Sequence, residues 1–550
     1  MKFTNTELEA QIAGFFQGET FTDDSTLNTY SKDASLLVVK PEFVLFPKNS
    51  EDIQKIVKFV GENKADNPEL SVTARSAGTC MSGGSLNQSI ILDITKHLGG
   101  IISVSEAEAD VLPGTYYRDF EIETLKKDAI LPCYTASKNL CTVGGMVANN
   151  SAGEKTLAYG KIEDYVKELR VIFSDGKEYV TKPLNKDELD KKIAQGDFEG
   201  NIYKNLFELV SKNNDLLKKA KPDVSKNSAG YYLWNVWDGN TFDINKLLVG
   251  SQGTLGIVTE IKFKLVPVKK KSKLFVIFLR DLTHLSEVVN EILPFKPESL
   301  ESYDDSTMKL AFKFLPSMIK TMKVHHFFKL MWSFWPEVFM MATGGIPKLI
   351  LLVEFSGNQD AEIDNKMSEL NKTIEHFHFK TRISKTQEES DKYWTIRRES
   401  FNLLRSHVKG RRTAPFIDDV IVKPQYLPEF LPKMRKILDD YKLVYTIAGH
   451  AGDGNFHIIP LMDMKDPKNH PIIGEVSDKI YDLVISYKGS ITAEHNDGII
   501  RTPYLEKMFG HEIIELFQQT KNIFDPQNIF NPGKKVGGTK EYMNAHLAKS

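Results

Sequence analysis

Arg75-Ser76-Ala77-Gly78-Thr79-Cys80-Met81-Ser82-Gly83-Gly84-Ser85 decides how the chain is read. After the arginine it holds mostly small residues, and it follows Ser71-Val72-Thr73-Ala74, which reads as a strand. With little Cβ bulk in the way, successive backbone N–H groups are able to approach an anion. The loop is neither a Walker A sequence nor a GxGxxG fingerprint, so neither of those nucleotide-binding modes is supported. Two further small-residue segments follow: Thr142-Val143-Gly144-Gly145-Met146-Val147-Ala148-Asn149-Asn150-Ser151-Ala152-Gly153 and Gly250-Ser251-Gln252-Gly253-Thr254-Leu255-Gly256-Ile257-Val258-Thr259. One such segment is a tight turn. Three of them, each meeting a strand-like run in the same 270 residues, are harder to explain as turns alone.

The surroundings read as layered helix and sheet. Phe43-Val44-Leu45-Phe46-Pro47 and Ile90-Ile91-Leu92-Asp93 read as strands. Between them Asn49 to Asp52 cap a helix over 53–62, with Ile53, Ile56, Val57 and Val60 at helical spacing. Lys167 to Phe173, followed by Ser174-Asp175-Gly176-Lys177, predicts a hairpin. Leu247 to Pro267 reads as β-rich and ends at the basic run Lys269-Lys270-Lys271, where a domain boundary near 270 is expected. Glu512 to Lys521 reads as a helix that stops before Asp525-Pro526.

The chain has 550 residues, room for two to four packed units. Apolar residues make up 41% and charged residues 26%, as in ordinary globular proteins. The net charge of −2 argues against a dedicated nucleic-acid binder. Three cysteines, Cys80, Cys133 and Cys141, without a CxxC pair, exclude a disulfide framework and a zinc knuckle and fit reduced cytosolic thiols. Neither a signal peptide nor an apolar run of ~18 residues is visible.

With Tyr30-Ser31-Lys32-Asp33-Ala34-Ser35, Pro41 to Pro47, Pro132 to Gly153, Tyr159-Gly160 and Gly253-Thr254-Leu255-Gly256, the loops resemble flavoproteins with a p-cresol-methylhydroxylase-type FAD-binding domain. The resemblance spans nearly all of 25–270. It implies that Arg75, Ser76, Ala77, Gly78, Thr79, Cys80, Ser82, Gly83 and Gly84 surround the FAD pyrophosphate. Pro132, Ser137, Thr142, Gly144, Gly145, Asn149, Ser151, Ala152 and Gly153, with Gly253, Ile257 and Val258, would line the rest of the cofactor. Many relatives attach flavin through a histidine in the first loop. None lies between Arg75 and Ile90 here, so non-covalent FAD is expected.

A second constellation is Gly449-His450-Ala451-Gly452-Asp453-Gly454-Asn455-Phe456-His457, with Ala493-Glu494-His495-Asn496-Asp497-Gly498 farther on. Histidines seven apart point to opposite faces of a straight strand. The Gly-Asp-Gly between them permits a turn that brings both imidazoles together. Two His and one Glu then suit a catalytic divalent metal, with His495 placed as a proton acceptor. On spacing alone, surface histidines near a turn explain the pattern equally well.

These segments resemble the C-terminal domain of FAD-linked D-2-hydroxy-acid dehydrogenases, including D-lactate, D-2-hydroxyglutarate and glycolate enzymes. The resemblance implies metal ligands at His450, His457 and Glu494, zinc first with manganese or iron as alternatives, and a base at His495. It implies a carboxylate-binding Arg397 within Trp394-Thr395-Ile396-Arg397-Arg398-Glu399, Arg398 pointing elsewhere. The expected architecture is α+β: an FAD-binding domain at 1–270 (cofactor-contacting core 38–270), a ferredoxin-like cap domain for the substrate at 271–500, and a helical tail at 501–550. That tail returns to the flavin domain and brings Asn531, in Asn531-Pro532-Gly533-Lys534, to the cofactor. There are departures. Asn496-Asp497-Gly498 replaces a common Gly-x-Gly, and Ile417 and Ile459 stand where D-2-hydroxyglutarate enzymes have Lys and Asn, which reads against that acid. Pro415-Phe416-Ile417-Asp418-Asp419-Val420 looks closer to a subgroup often fused to an iron–sulfur module.

The implied reaction takes a D-2-hydroxy acid to its 2-keto acid and passes electrons to a quinone, an electron-transfer flavoprotein or a separate iron–sulfur protein. Residues 306–336 carry five lysines and two histidines among Phe and Trp, without an acid. Such a stretch is able to lie in a membrane interface, or to be a cap segment with its aromatic side chains in the core. A cytoplasmic enzyme, peripheral on the inner face of the membrane and able to form a homodimer, is the expectation. The rival readings are a non-redox lipid-ether synthase, a flavin-free metal-dependent hydrolase and a non-catalytic FAD subunit of a larger complex.

Overall fold

The computed structural model describes residues 4–313, 345–407 and 410–549. Of the basic stretch 306–336, everything beyond the end of the helix Asp305–Lys313 lies outside the described residues. Among the described residues no helix is long and apolar enough to cross a membrane.

The loop 75–85 leaves a four-stranded sheet. In it the strands Phe43–Phe46 and Val72–Arg75 both run parallel to Ile90–Asp93, while Glu19–Phe21 closes one edge antiparallel. The helix Ser50–Asn63 is capped by the Asn49 side chain, which accepts from Asp52 N. It buries Ile53, Ile56, Val57 and Val60 against Phe43, Leu45 and Leu92. These four occupy one helical stripe, which is why this segment is a helix on a sheet. A second, five-stranded antiparallel sheet contains the hairpin Val166–Ile172/Glu178–Thr181 and the strand Ile257–Lys264. Within the stretch 247–267, Leu247 and Leu248 close a short helix, Asn245–Leu248, instead of opening a strand.

From Lys271 onward the chain builds an eight-stranded antiparallel sheet. Its strand Lys271–Leu279 alternates: Phe275, Ile277 and Leu279 face the helices 285–292, 360–373 and 427–440, whereas Leu274, Val276 and Phe278 face Tyr393, Trp394 and Ile396 of the helix Gln387–His407. Both faces are covered from Leu274 onward, so Leu274 to Leu279 are apolar at every position rather than at every second one. The tail returns to the first sheet. The helix His511–Phe524 leads to Ile529 and Phe530 in the core beneath the Val72 strand, and Val72 N–H donates to Ile529 O at 2.8 Å while Asn531 N–H donates to Val72 O at 3.0 Å.

Where the two layers meet, Lys155 reaches Glu298 at 3.1 Å, with Glu354 and Arg398 beside them. Burial raises the Glu354 carboxyl to about 7, against the pull of Lys155. The folded chain therefore keeps this proton where the unfolded chain has lost it, so stability falls as pH rises from 4.5 to about 7. Glu354 keeps a partial solvent edge, which discounts the effect. Glu354→Gln is expected to raise stability at pH 8 by about 1–2 kcal/mol and to change little at pH 4.5. Urea midpoints of both proteins at the two pH values check this.

Candidate active site

The three small-residue segments converge on two adjoining cavities. The larger has about 960 Å³ and the smaller about 90 Å³, and they share Gly78, Thr79, Gly145 and Asn149 in their walls. Ser76, Cys80, Gly84, Gly144, Gly253, Ile257 and Val258 line the smaller one; Ser137, Ser151, Ala152 and Gly153 line the larger. The combined space is of the size that holds an extended cofactor and a small substrate. A Cβ on Gly145 would stand 3.4 Å from Ser76, narrowing the passage between the first two segments.

Seven expected cofactor residues stand behind this wall instead of in it. Arg75 turns its guanidinium onto the carbonyls of Tyr30 (3.0 Å) and Lys32 (2.6 Å) and lies over the Tyr30 ring, shaping the neighbouring loop. Ala77 and Gly83 line neither of the two cavities. A Cβ on Gly83 would strike Leu37 at 2.6 Å. The buried Ser82 donates to His495 O at 3.2 Å, and Thr142 caps the helix Val143–Asn149 through Gly145 N. Pro132 lines a separate, small cavity with Tyr159 and Glu354. Asn531 donates to Gly84 O (2.8 Å) and Gln252 O (2.7 Å), tying the first and third segments together from behind.

The larger cavity runs on to the histidines. The turn after the strand Val444–His450 reverses the chain into Asn455–Met462, and Gly454 is required there: φ is +75° and a Cβ would lie 1.9 Å from Val422 O. The hairpin brings His450 Nε2 to 3.3 Å from His457 Nε2, and Glu494 Oε1 lies 3.1 Å from His450 Nε2. Ligand atoms bound at about 2.0–2.1 Å to one divalent ion stand about 3.0–3.4 Å apart, which the two separations at His450 Nε2 match, and His457 and Glu494 offer ligand atoms within 4.8 Å of each other. Each histidine also has a carboxylate on its other nitrogen, as metal-binding imidazoles commonly do. Glu301 Oε1 is hydrogen-bonded to His450 Nδ1, and Asp418 Oδ1 lies 3.2 Å from His457 Nδ1.

Asp419, His457, Glu494 and His495 form a second grouping of potential donors. Asp419 is committed elsewhere. Its Oδ2 accepts from the backbone N–H groups of Ala493 (3.0 Å), Glu494 (2.8 Å) and His495 (2.7 Å) and from the Thr492 hydroxyl (2.7 Å), and its Oδ1 accepts from Asn455. It is the anchor that shapes the Glu494–His495 loop. Lys161 and Lys535, both buried, hold the same loop from the other side. Lys161 Nζ reaches Ala493 O at 3.1 Å, and Lys535 Nζ reaches Asp497 at 2.8 Å.

His495 stacks on His457, with ring centroids 5.0 Å apart, and its Nδ1 lies 2.7 Å from Asp418 Oδ2, at ion-pair distance though off the hydrogen-bond line. One carboxylate thus serves both a proposed ligand and the proposed base. Burial disfavours the charged ring of His495, but Asp418, Asp419 and Glu494 outweigh it and raise the imidazole to about 9. His450 rises to about 9 as well, since Glu301 and Glu494 outweigh its burial. Lys226, fully buried, lies 2.6 Å from Glu494 Oε1 and 3.1 Å from Asp453.

Arg397 lines the cavity and is bound to Glu301 Oε2 at 3.0 Å. Arg398, expected to point elsewhere, lines the same cavity, paired with Glu154 at 2.6 Å and lying over the Trp394 ring. Ile459 is in the wall, whereas Ile417 is fully buried outside it. The sequence reading missed Glu301, Lys226, Asp453 and the division of labour between Asp418 and Asp419. The available signal was the recurrence of an acid at every third position at Glu298, Glu301 and Asp304, and the Asp418-Asp419 pair inside the apolar run Pro415 to Val420.

The sequence model of the FAD linked oxidases, C-terminal domain, matches residues 268–535, and that of an FAD binding domain matches 41–182. The chain is 28% identical to the D-2-hydroxyglutarate dehydrogenase of Pseudomonas putida over 539 residues, covering 96% of this chain and 51% of that protein. It therefore spans about half the length of the curated relatives it matches first. With the D-lactate dehydrogenase of Archaeoglobus fulgidus it shares 25% identity over 498 residues, 90% of this chain and 91% of the relative. Among solved structures, a substrate-bound p-cresol methylhydroxylase superposes with a TM-score of 0.65 at 16% identity, covering 94% of both chains. That likeness establishes the fold.

Proposed function

We propose that the chain, which matches the sequence models of an FAD binding domain and of the FAD linked oxidases' C-terminal domain, oxidises a D-2-hydroxy acid to the 2-keto acid. The observation that carries this reading is the convergence of His450, His457, Glu494, His495 and Arg397 on one cavity that opens into the small-residue cradle. FAD, held non-covalently in that cradle, supplies the hydride acceptor. A divalent metal, zinc first, held by His450, His457 and Glu494 supplies Lewis-acid polarisation of the 2-hydroxyl.

The chain's own residues do the rest. Arg397 holds the carboxylate through its planar guanidinium, which orients C2. Glu301 keeps that guanidinium in place. In its neutral form His495 presents Nε2 to the hydroxyl proton, because Nδ1 faces Asp418, and with the imidazole raised to about 9 that form grows as pH rises towards 9. Electrons then leave to an external acceptor: a quinone, an electron-transfer flavoprotein or an iron–sulfur protein.

Lys32, Arg411 and Lys465 also line the cavity, and no carboxylate pairs with them among the described residues. Three such cations favour an acid that carries a second anionic group. Anaerobic absorbance spectroscopy of the FAD-loaded protein with Zn²⁺ or Mn²⁺ tests the whole reading, across D- and L-lactate, glycolate, D-malate and D-2-hydroxyglutarate. The expected result is loss of the oxidised-flavin band with a D-acid, fastest with a dicarboxylate, and none with the L enantiomer. A yellow protein that bleaches with none of them overturns the reading in favour of non-redox flavin chemistry. A protein that stays colourless after FAD is added removes its basis.

A further inference from the structure

Glu301 lies in the strand Ser299–Asp304, only 1% exposed. The register pairs Ser302 with Gly449 and Tyr303 with Ala448, so one step along the ladder sets Glu301 opposite His450. Its two oxygens serve different partners. Oε1 is hydrogen-bonded to His450 Nδ1, while Oε2 accepts from Arg397 Nη2 at 3.0 Å and Nε at 3.2 Å. A backbone carbonyl would suffice to orient a metal-binding imidazole. A buried carboxylate is a costly alternative, tolerated when both oxygens are paired. Here those pairings join two groups that act on different partners, the substrate and the metal.

We infer that Glu301 is a positioning residue that couples the two binding events: a carboxylate seated on Arg397 tightens metal binding at His450. The inference rests on the proposed roles of Arg397 and His450. The physical chain is short. Arg397 neutralises part of the Glu301 charge. An incoming anion pairs with the guanidinium and takes up part of its positive charge, leaving Glu301 less compensated. The freed negative charge acts on His450 Nδ1–H and makes Nε2 a stronger donor, within an interior that screens charge poorly. By linkage, the metal tightens carboxylate binding by the same factor. The ordered site thus forms when both partners are present, and a metal-loaded site holds hydroxy acids better than a metal-free one.

Propionate is the probe, since it has the carboxylate of the substrate and no 2-hydroxyl to ligate or oxidise. Zinc affinity of the FAD-loaded full chain is measured against a chromogenic chelator, with and without propionate, and propionate occupancy is followed by its perturbation of the flavin absorbance. The expected result is a zinc affinity about fivefold higher with propionate in the wild type. Glu301→Gln should weaken zinc binding by about 10–100-fold and abolish the propionate effect. If Glu301→Gln does not fold, Arg397→Met carries the test, because zinc must still bind while the propionate effect disappears. An equal propionate effect in the wild type and in Glu301→Gln means direct ligation to the metal and overturns the coupling. So does propionate that perturbs the flavin without changing zinc affinity. A chain that binds no zinc at all overturns the metal assignment itself, which separates that failure from failure of the coupling.

Discussion

His495→Gln lowers kcat by about 10²–10⁴-fold, the usual worth of a positioned general base, and leaves zinc content and the flavin spectrum unchanged. Glutamine keeps a polar group of similar reach beside Asp418 but accepts no proton at neutral pH. The ring it replaces is stacked on His457 and held by Asp418, whose two oxygens lie 3.2 Å from His457 Nδ1 and 2.7 Å from His495 Nδ1. The loss therefore falls on proton removal and not on acid binding, so KM changes little. Rapid-mixing measurement of flavin bleaching, alongside metal analysis of the same sample, checks the outcome. Bleaching at the wild-type rate would falsify the assignment of the base.

The second large effect concerns stability. Lys226→Met removes a fully buried ammonium that lies between Glu494 and Asp453, with Glu301 nearby. Burial disfavours the charged lysine, yet Asp453 and Glu494 outweigh it and hold its proton well above the ordinary lysine range. Taking the cation away leaves carboxylates uncompensated in the interior, and breaking a buried pair in this way costs about 3–5 kcal/mol. The metal-free variant should unfold at clearly lower urea. A divalent cation restores part of the missing charge, so zinc should raise the midpoint more in the variant than in the wild type. Equal zinc shifts in the two proteins would count against a metal among these groups.

Much of the fold could be read from local pattern. The Asn49 cap with its Ile53-Ile56-Val57-Val60 stripe, and the Asp175-Gly176 hairpin, are decided by neighbours within a few residues. The same holds for the tight return between His450 and His457, where glycine is sterically required. What was not legible is what distant segments do to one another. The family resemblance places Arg75 at the cofactor with its loop, and only the folded chain shows its guanidinium on carbonyls 43 and 45 residues earlier. Pro132 sits in a conspicuous segment and faces a different cavity. Glu301 is one acid in a strand with no motif around it, and only sheet register, 149 residues from His450, gives it a role. Asp418 and Asp419 are adjacent in sequence and alike in chemistry. The positive φ at Asp419 sends the two carboxylates to different tasks, one to imidazoles and one to backbone amides.

The tie between Asn531 and Gly84 spans 447 residues. On a ribosome adding about 5–20 residues per second, roughly 20–90 s pass between the two ends of that tie leaving the tunnel. Throughout this interval the edge of Val72–Arg75 that later pairs with residues 529–531 is unpaired, and Leu36 lacks the partner it later finds in Ala548. The cradle is thus among the first parts translated and among the last completed. The nascent chain has an open strand edge to protect, and a ribosome that stalls before residue 525 releases a product whose cradle is unbraced, however well its sheets have formed.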